Sequence, residues 1–211
     1  MIAILGGTFN PIHLGHLHLA TQLQTKIGFD QVRFMPAALP ALKNVPKVTA
    51  EHRAEMVKIA IADHPKFLLD TRELSRTGTS YTVETLTSLR EELGNKVSIC
   101  WLMGSDAFAH LNAWHRWQDL LKLAHLIVAK RPKSVDFYSL NVDIQSLLKS
   151  HEAKHIDEIK QQAHGKILIQ EIAALDISST NIRNKLSHHQ DVSKLIAPTV
   201  LAYIQQHQLY E

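Results

Sequence analysis

The first stretch of the chain constrains the fold most, because it joins an apolar run to a glycine pair and a helical pattern. Residues 2–5 are all apolar, Gly6 and Gly7 follow, and apolar side chains then recur at helical spacing until Gly28. A short apolar run is typical of a buried parallel strand, and glycine often ends a helix. The pattern therefore predicts a strand, a loop and a helix in succession.

The rest of the chain repeats this alternation. Strands are predicted at 31–35, 67–69, 97–103, 126–129 and 166–172, and helices from Thr49, at about 81–93 and 117–124, near Ser179 and from Pro198. The run at 97–103 is apolar on both faces, as expected of a central parallel strand. Such alternation implies right-handed crossovers and a parallel sheet that binds ligands at the carboxyl ends of its strands. We therefore predict one α/β domain over residues 1–211, with a less patterned peripheral segment at about 133–165.

Composition limits the classes of function. The chain has 211 residues, 45% hydrophobic and 20% charged, and no apolar run approaches the ~20 residues of a membrane span. It starts with a strand rather than a leader, so we expect a cytoplasmic protein that does not bind membranes. The net charge is only +3 and the basic residues are scattered, so no nucleic-acid surface is expected. The single cysteine, Cys100, is expected to be buried rather than nucleophilic.

The loop at 6–16 has the composition of an anion site. Gly6 and Gly7 let a ligand approach the backbone, and the free amides at the helix start favour an anion. His13 and His16 are three residues apart, so both imidazoles can point to one side, toward that anion. The helix dipole disfavours their protonation, so they would act as neutral hydrogen-bond donors to phosphate oxygens.

Two other interpretations of this loop stay open. A glycine pair is also typical of a tight turn without a ligand. Histidines three apart can hold zinc, but only two ligands are local, no cysteine is near and no glutamate lies between them. The loop is not a Walker motif, because no Gly-Lys-Ser/Thr follows.

Two groups of residues resemble the signatures of one superfamily. Residues 177–183 are similar to Ile-Ser-x-Thr-x-x-Arg, and the pattern Gly-x-Phe-x-Pro-x-His-x-Gly-His is matched by Gly7, Phe9, Pro11, His13, Gly15 and His16. Both patterns are signatures of the nucleotidyltransferase superfamily, whose members transfer a nucleotidyl group from ATP or CTP to a phosphate. The resemblance implies a Rossmann-like, doubly wound parallel sheet with the core strand order 3-2-1-4-5.

Within that superfamily the chain looks most like the bacterial nicotinate-nucleotide adenylyltransferases, over nearly its whole length. Ser80, Tyr81 and Thr82 resemble the family's Ser-Tyr-Thr beside the pyridine carboxylate, and Trp114 resembles a tryptophan that stacks on the pyridine ring. The resemblance implies that nicotinate mononucleotide binds at Thr8, Tyr81, Thr82, Trp114 and His115. It implies that ATP binds at Gly6, Gly7, Thr8, Phe9, His13, His16, Lys43, Gly104, Asp106, Ile177, Ser178, Thr180 and Arg183.

The resemblance also implies the reaction. The 5′-phosphate of nicotinate mononucleotide would attack the α-phosphorus of ATP in line and release pyrophosphate, with His13, His16 and Arg183 as catalytic residues. Mg²⁺ would arrive with ATP, and no metal ligand is expected from the protein. A related enzyme acting on phosphopantetheine and a non-catalytic nucleotide sensor are the alternatives. Whether the chain forms a homo-oligomer is left open.

Several of these residues also have simpler explanations. Trp114, near a helix start, could be a packing residue without a ligand role. Asp106 could be a helix N-cap, and Arg183 could be a surface charge. One position departs from the family: where Pro-Pro-His-Lys is usual, Leu42 replaces the histidine before Lys43. The loop thus differs from the family where it would contact phosphate or pyridine nucleotide.

Overall fold

The protein's structure, a computed structural model, describes residues 1–42, 44–130, 139–173 and 175–211. The strands are β1 Ile2–Gly7, β2 Gln31–Pro36, β3 Phe67–Leu69, β4 Ile99–Gly104, β5 His125–Lys130, β6 Glu152–Ala153 and β7 Ile167–Glu171. The helices are α1 Leu14–Ile27, α2 Ala50–Ile61, α3 Thr82–Leu93, α4 Ser105–Ala109, α5 Leu120–Leu123, α6 Val142–His151, α7 Ile156–Lys160, α8 Ser179–Ser187 and α9 Pro198–Gln206. The predicted alternation of strands and helices is confirmed.

The strands form one parallel sheet in the order β3-β2-β1-β4-β5-β7-β6. Strand β1 lies between β2 and β4, with Ile4 level with Arg33 on one side and Trp101 on the other. The core order 3-2-1-4-5 is therefore confirmed. The order reverses between β1 and β4, and in such sheets the crevice at the carboxyl ends of these two strands is the usual ligand site.

Helices cover both faces of the sheet, and β1 shows why. Ala3 and Leu5 pack into one hydrophobic cluster, with α1, α2, α8 and α9, whereas Ile2 and Ile4 pack into the other, with α3 and α5. All four side chains are buried, which explains why this strand is apolar at every position. Cys100 is also buried in the first cluster, and burial raises the pKa of its thiol to about 12, so the prediction of an unreactive cysteine is confirmed.

Local sequence signals set the helix boundaries. Gly28 ends α1 in a left-handed conformation, φ 79°, and its N–H donates to Gln24 O. Thr49 caps α2 by accepting the N–H of His52 at 3.4 Å. Pro198 occupies the first turn of α9, where its missing N–H costs nothing. These predicted starts and stops are confirmed.

The segment predicted as peripheral contributes more structure than its sequence indicates. From residue 139 onward it forms α6, β6 and α7, and β6 is the outermost strand of the sheet, paired with β7. Ile144 and Ile159 are completely buried, although most of their neighbours are polar. Residues 133–138 of that prediction lie outside the described residues. Within the described parts of the chain, no helix is long and apolar enough to cross a membrane.

His125, at the start of β5, ties two segments together inside the protein. Its Nδ1 accepts the N–H of Lys166 at 3.1 Å, and its Nε2 is 3.0 Å from Gln162 O. The Nε2 proton therefore donates to the carbonyl, and the ring is neutral. The side chain is fully buried, and this burial lowers the pKa of His125 to about 4.

We expect acid to weaken the fold through His125. Below about pH 6.5 the unfolded chain binds a proton that the folded chain excludes until about pH 4, so the stabilisation is complete above pH 6.5 and is lost as the pH falls. The loss of unfolding free energy is about 2 kcal/mol at pH 5 and approaches about 3.4 kcal/mol below pH 4. Urea unfolding between pH 7.5 and 5 measures it. His125→Asn should flatten the pH dependence, whereas substitution of the exposed His188 should not; equal slopes in both variants would contradict the assignment.

Candidate active site

An open cavity of about 1080 Å³ lies where β1 ends and α1 begins. Its walls come from the loop after β1, the start of α1, the loops after β2 and β7, and the start of α8. The described residues that line it are Gly6, Gly7, Thr8, Phe9, Asn10, His13, Gly15, His16, His18, Leu19, Ala41, Leu42, Asn44, Pro46, Ile172, Leu175, Ile177, Ser178, Ser179, Thr180 and Arg183. The two sequence motifs thus line the same cavity.

The two histidines of the first motif stack on each other at the start of α1. Their ring centroids are 3.7 Å apart and their planes differ by 23°. The N–H of His13 donates to Nδ1 of His16 at 3.3 Å, which leaves the ring proton of His16 on Nε2. The rings of Phe9 and His16 pack in a T-shaped arrangement, with 5.1 Å between centroids. The prediction that both imidazoles lie on one side of the helix start is confirmed.

Close packing restricts two glycines of the loop at 6–16, Gly6 and Gly15. A Cβ on Gly6 would lie 2.5 Å from the ring of Trp101, and a Cβ on Gly15 would lie 3.0 Å from Nδ1 of His13. Either contact is shorter than van der Waals distance, so a larger residue would displace an aromatic or imidazole ring. Gly6 is therefore needed for packing inside the sheet, which the sequence alone does not reveal.

The second motif docks on the first through hydrogen bonds to its backbone. Ser178 caps α8 by accepting the N–H of Asn181 at 3.2 Å, and the hydroxyl of Ser179 donates to Pro11 O at 3.0 Å. Arg183 donates from Nη1 to Asn10 O at 2.8 Å and from Nη2 to Thr180 Oγ1 at 3.3 Å. Arg183 is thus anchored at the cavity and is not a free surface charge.

The C-terminal residues reach the same loop. Tyr210 donates its hydroxyl to Asn10 Oδ1 at 2.8 Å, and burial raises the pKa of this phenol. Asn10 is therefore held from two directions, by Arg183 on its backbone and by Tyr210 on its side chain. Its place in the site follows from contacts across the chain, and nothing near it in the sequence indicates them.

The residues predicted for the pyridine nucleotide form a second group beside this cavity. Tyr81 is the N-cap of α3, Thr82 is the first residue of that helix, and the rings of Tyr81 and His115 are 4.4 Å apart. Trp114 is half buried and packs against the same hydrophobic cluster as Tyr81. Thr8 is the exception among the predicted residues, because it lies in the cavity wall.

A short bridge connects the two groups. The hydroxyl of Ser80, just before Tyr81, accepts the N–H of Ala38 at 3.1 Å, and the N–H of Ser80 donates to Leu39 O at 2.8 Å. The loop after β2, which begins at Ala37 and supplies one wall of the cavity, is therefore fastened to the start of α3. The pyridine group and the cavity adjoin each other across this loop.

Two of the described residues predicted for ATP, Gly104 and Asp106, lie outside the cavity lining. Gly104 ends β4, the strand next to β1, and Asp106 is exposed in the first turn of α4. The N-cap of α4 is Gly104, so the alternative reading of Asp106 as an N-cap is wrong. Lys43 lies outside the described residues, and its neighbour Leu42 is 62% exposed at the cavity. All the other residues predicted for ATP line the cavity.

The charges of the cavity suit an anionic ligand. Its described lining includes Arg183 and three histidines and no aspartate or glutamate. Across the described ranges, no three His, Cys, Asp or Glu side chains are grouped so that they could hold a metal ion. The donor set of imidazoles, a guanidinium and hydroxyls matches phosphate oxygens, which accept hydrogen bonds. A divalent cation fits this site as part of a metal–nucleotide complex, bound through phosphates and water.

Sequence reasoning missed part of the cavity wall. The lining residues that it did not assign to a ligand are Asn10, Gly15, His18, Leu19, Ala41, Leu42, Asn44, Pro46, Ile172, Leu175 and Ser179. His18 lies on α1 one turn after Leu14, and its Nε2 contacts Ala173 O. Helical spacing from the motif could have indicated His18, but the apolar residues after β2 and β7 carry no such signal.

Comparison with known proteins agrees with this geometry. The sequence model of the cytidylyltransferase-like family matches residues 4–185. A protein of Dechloromonas aromatica named "Probable nicotinate-nucleotide adenylyltransferase" is 40% identical over 210 residues, which cover 99% of this chain and 97% of the relative. A protein of Cellvibrio japonicus with the same name is 40% identical over 209 residues, 99% of this chain and 98% of the relative.

Solved structures share the fold. Two structures of Plasmodium falciparum nicotinic acid mononucleotide adenylyltransferase, complexed with APC and with NaAD, each match with a TM-score of 0.73 and 21% identity. Each match covers 99% of this chain and 96% of the solved chain. With relatives of this identity along its whole length, the chain belongs to the nicotinate-nucleotide adenylyltransferases of the cytidylyltransferase-like family.

Proposed function

We propose that this protein transfers the adenylyl group of ATP to the 5′-phosphate of nicotinate mononucleotide, giving nicotinate adenine dinucleotide and pyrophosphate. The observation that carries the proposal is the cavity in which the His13–His16 pair and Arg183 converge, with no carboxylate among its described lining residues. The names of the relatives point to the same reaction. The Plasmodium protein is described in complex with NaAD, which has the chemistry of the proposed product.

The phosphates of ATP would lie at the starts of α1 and α8. Backbone N–H groups there have no partner within the helix, and the helix dipoles favour negative charge. His13, His16, Thr180 and Arg183 would donate to the phosphate oxygens, together with Gly6, Gly7, Thr8, Phe9, Ile177 and Ser178 at the cavity wall and Lys43 from the loop after β2. Gly104 and Asp106 would hold the ribose.

The acceptor nucleotide would lie between this phosphate site and α3. Trp114 and the ring pair Tyr81–His115 offer aromatic faces for the pyridine ring, and the start of α3 at Thr82 offers donors for its carboxylate. Thr8 would contact the acceptor from the cavity side. The bridge between Ala38 and Ser80 fixes the spacing of the two halves of the site, so both phosphates can be held for in-line attack.

Catalysis by this arrangement consists of positioning and charge stabilisation. Negative charge develops on the α-phosphate and on the pyrophosphate that leaves, and His16 Nε2–H and the remaining Arg183 donors are fixed before the reaction begins. No protein group forms a covalent bond with the substrate. Magnesium would enter as part of the ATP substrate and would neutralise phosphate charge.

Pyrophosphate release tests the proposed function directly. Wild-type protein with MgATP should release pyrophosphate with nicotinate mononucleotide and not with phosphopantetheine. Turnover with phosphopantetheine would favour the related enzyme instead, and MgATP binding without turnover on any acceptor would favour a nucleotide sensor. A cytoplasmic location and the state of assembly stay predictions.

Arg183→Lys should reduce kcat/KM about 10- to 50-fold, which corresponds to about 1.4–2.3 kcal/mol of transition-state binding. The guanidinium already spans Asn10 O and Thr180 Oγ1, and it keeps further N–H groups for phosphate. An ammonium group is a single point and cannot serve both. Steady-state kinetics with MgATP measure the loss. Lys185→Ala, on the same helix but outside the cavity lining, is the matched control. If Arg183→Lys were as active as Lys185→Ala, Arg183 would not be part of the site.

A further inference from the structure

Arg53 is a buried cation directly behind the cavity wall. It lies on α2 and is 1% exposed, and it donates from Nη1 to Thr8 O at 2.6 Å and from Nη2 to Ala38 O at 3.0 Å. Thr8 belongs to the loop after β1, which lines the cavity, and Ala38 belongs to the loop after β2. One guanidinium therefore joins the loops that follow two neighbouring strands.

The charge of Arg53 has no ion-pair partner among the described residues; the exposed Glu51, two residues earlier on the same helix, attracts it only from beyond ion-pair distance. None of the carboxylates that the structure describes lies within ion-pair distance of the Arg53 guanidinium. The Nε of Arg53 is buried, and no described residue accepts a hydrogen bond from it. A buried, unpaired charge is costly, and carbonyl oxygens compensate it only in part. This cost is offset when a ligand anion approaches the cavity wall in front of Arg53, because opposite charges attract strongly in a medium of low dielectric constant.

The two carbonyl contacts also orient the cavity wall. In a trans peptide the C=O and the following N–H point in opposite directions. With Thr8 O held toward Arg53, the N–H of Phe9 points away from α2. Ala38 is in turn held by Ser80, directly before Tyr81 and Thr82 at the start of α3. A chain of contacts therefore runs from the loop at Thr8, through Arg53, to the residues of the pyridine group.

We propose that Arg53 is a positioning residue that sets the spacing between the phosphate loop and the acceptor wall, and that its buried charge strengthens the binding of phosphate anions in the cavity. This inference rests on the proposed function for its effect on turnover. Its effect on anion binding does not depend on the acceptor. The two parts can therefore be tested separately.

The charge is tested by binding of MgATP and of adenosine, which lacks phosphate. Arg53→Met should weaken MgATP binding about 10-fold and change adenosine binding less than about twofold, because only the phosphates interact with the missing charge. Calorimetry measures the first affinity and NMR titration the second. A purely structural role would weaken both ligands together. MgATP affinity equal to wild type would overturn the charge part of the proposal.

The spacing is tested by Arg53→Lys, which keeps the charge but cannot bridge two carbonyls. MgATP affinity should stay within about threefold of wild type, whereas kcat with nicotinate mononucleotide should fall about 10-fold. A kcat equal to wild type would overturn the spacing part. This variant also decides the question if Arg53→Met does not fold. If wild-type protein has no turnover, the proposed function fails, while the comparison of MgATP with adenosine still decides the role of the charge.

Arg90 provides a matched control. It is also a buried guanidinium, 8% exposed, and it donates to backbone carbonyls of Leu123, Val97 and Ala163 at 2.6 to 2.7 Å, none of which lines the cavity. Arg90→Met should lower the thermal midpoint while MgATP and adenosine bind as in wild type. If Arg90→Met weakened MgATP as much as Arg53→Met, the loss would come from general destabilisation and the proposal would be wrong.

Discussion

Replacement of His16 by alanine should lower kcat about 10²–10³-fold and change the KM for ATP less than about threefold. The Nε2–H of His16 is fixed by the stack on His13 and by the contact between Nδ1 and the His13 N–H. A donor fixed in this way acts most on charge that develops during the reaction, so its loss affects turnover more than binding. Initial rates of pyrophosphate release give both constants.

His16 also supports the loop, so a second substitution is needed to separate the two roles. The side-chain oxygen of asparagine can replace Nδ1 and accept the N–H of His13, but asparagine does not extend to the position of Nε2. His16→Asn should therefore keep the fold and lose kcat nearly as His16→Ala does. Recovery of kcat in His16→Asn would mean that His16 only caps the helix. His188→Ala, at an exposed position, controls for the loss of an imidazole.

The sequence allowed the central sheet to be predicted, because its strands are short apolar runs between helical patterns. Residues 2–5 and 97–103 are apolar at nearly every position, and the structure places both in the buried centre. The outer part of the sheet was harder to predict. Helix α6 has only Ile144 completely buried, and β6 has two residues, so neither produces a clear periodicity. Their stability comes from contact with the rest of the fold, which local sequence does not encode.

The candidate site was predictable where it coincides with the two motifs. The contacts that hold those motifs were not, because the partners are backbone carbonyls far away in sequence. Arg53 bonds Thr8 O and Arg183 bonds Asn10 O, and a charged residue on a helix gives no sign of such a partner. Gly6 is a different case: the sequence indicates that this glycine makes room for a ligand, but in the fold it makes room for the ring of Trp101. Both the arginine contacts and the role of Gly6 can be recognised only from distances in the folded structure.

Preference for the acid over the amide acceptor should be large, at about 100-fold in kcat/KM for nicotinate over nicotinamide mononucleotide, or about 3 kcal/mol. The start of α3 offers N–H groups, the Thr82 hydroxyl and a favourable dipole. Glu73, a buried carboxylate close to this helix, already accepts the Thr85 hydroxyl at 2.6 Å. A carboxylate on the ligand can accept from these donors with both oxygens, whereas the NH₂ of a carboxamide would face donors and stay unpaired.

Substitutions on α3 and at Trp114 separate recognition of the carboxylate from recognition of the ring. Thr82→Val removes a hydroxyl at nearly constant shape and should reduce the preference about 10-fold. Thr87→Val is the matched control, because Thr87 donates to Val83 O within the helix. Trp114→Ala should raise KM for both nucleotides and leave most of the ratio, since a stacked ring contacts either acceptor equally. Equal efficiency of the two acceptors in wild type would show that the start of α3 does not recognise the carboxylate, because the two ligands differ only there.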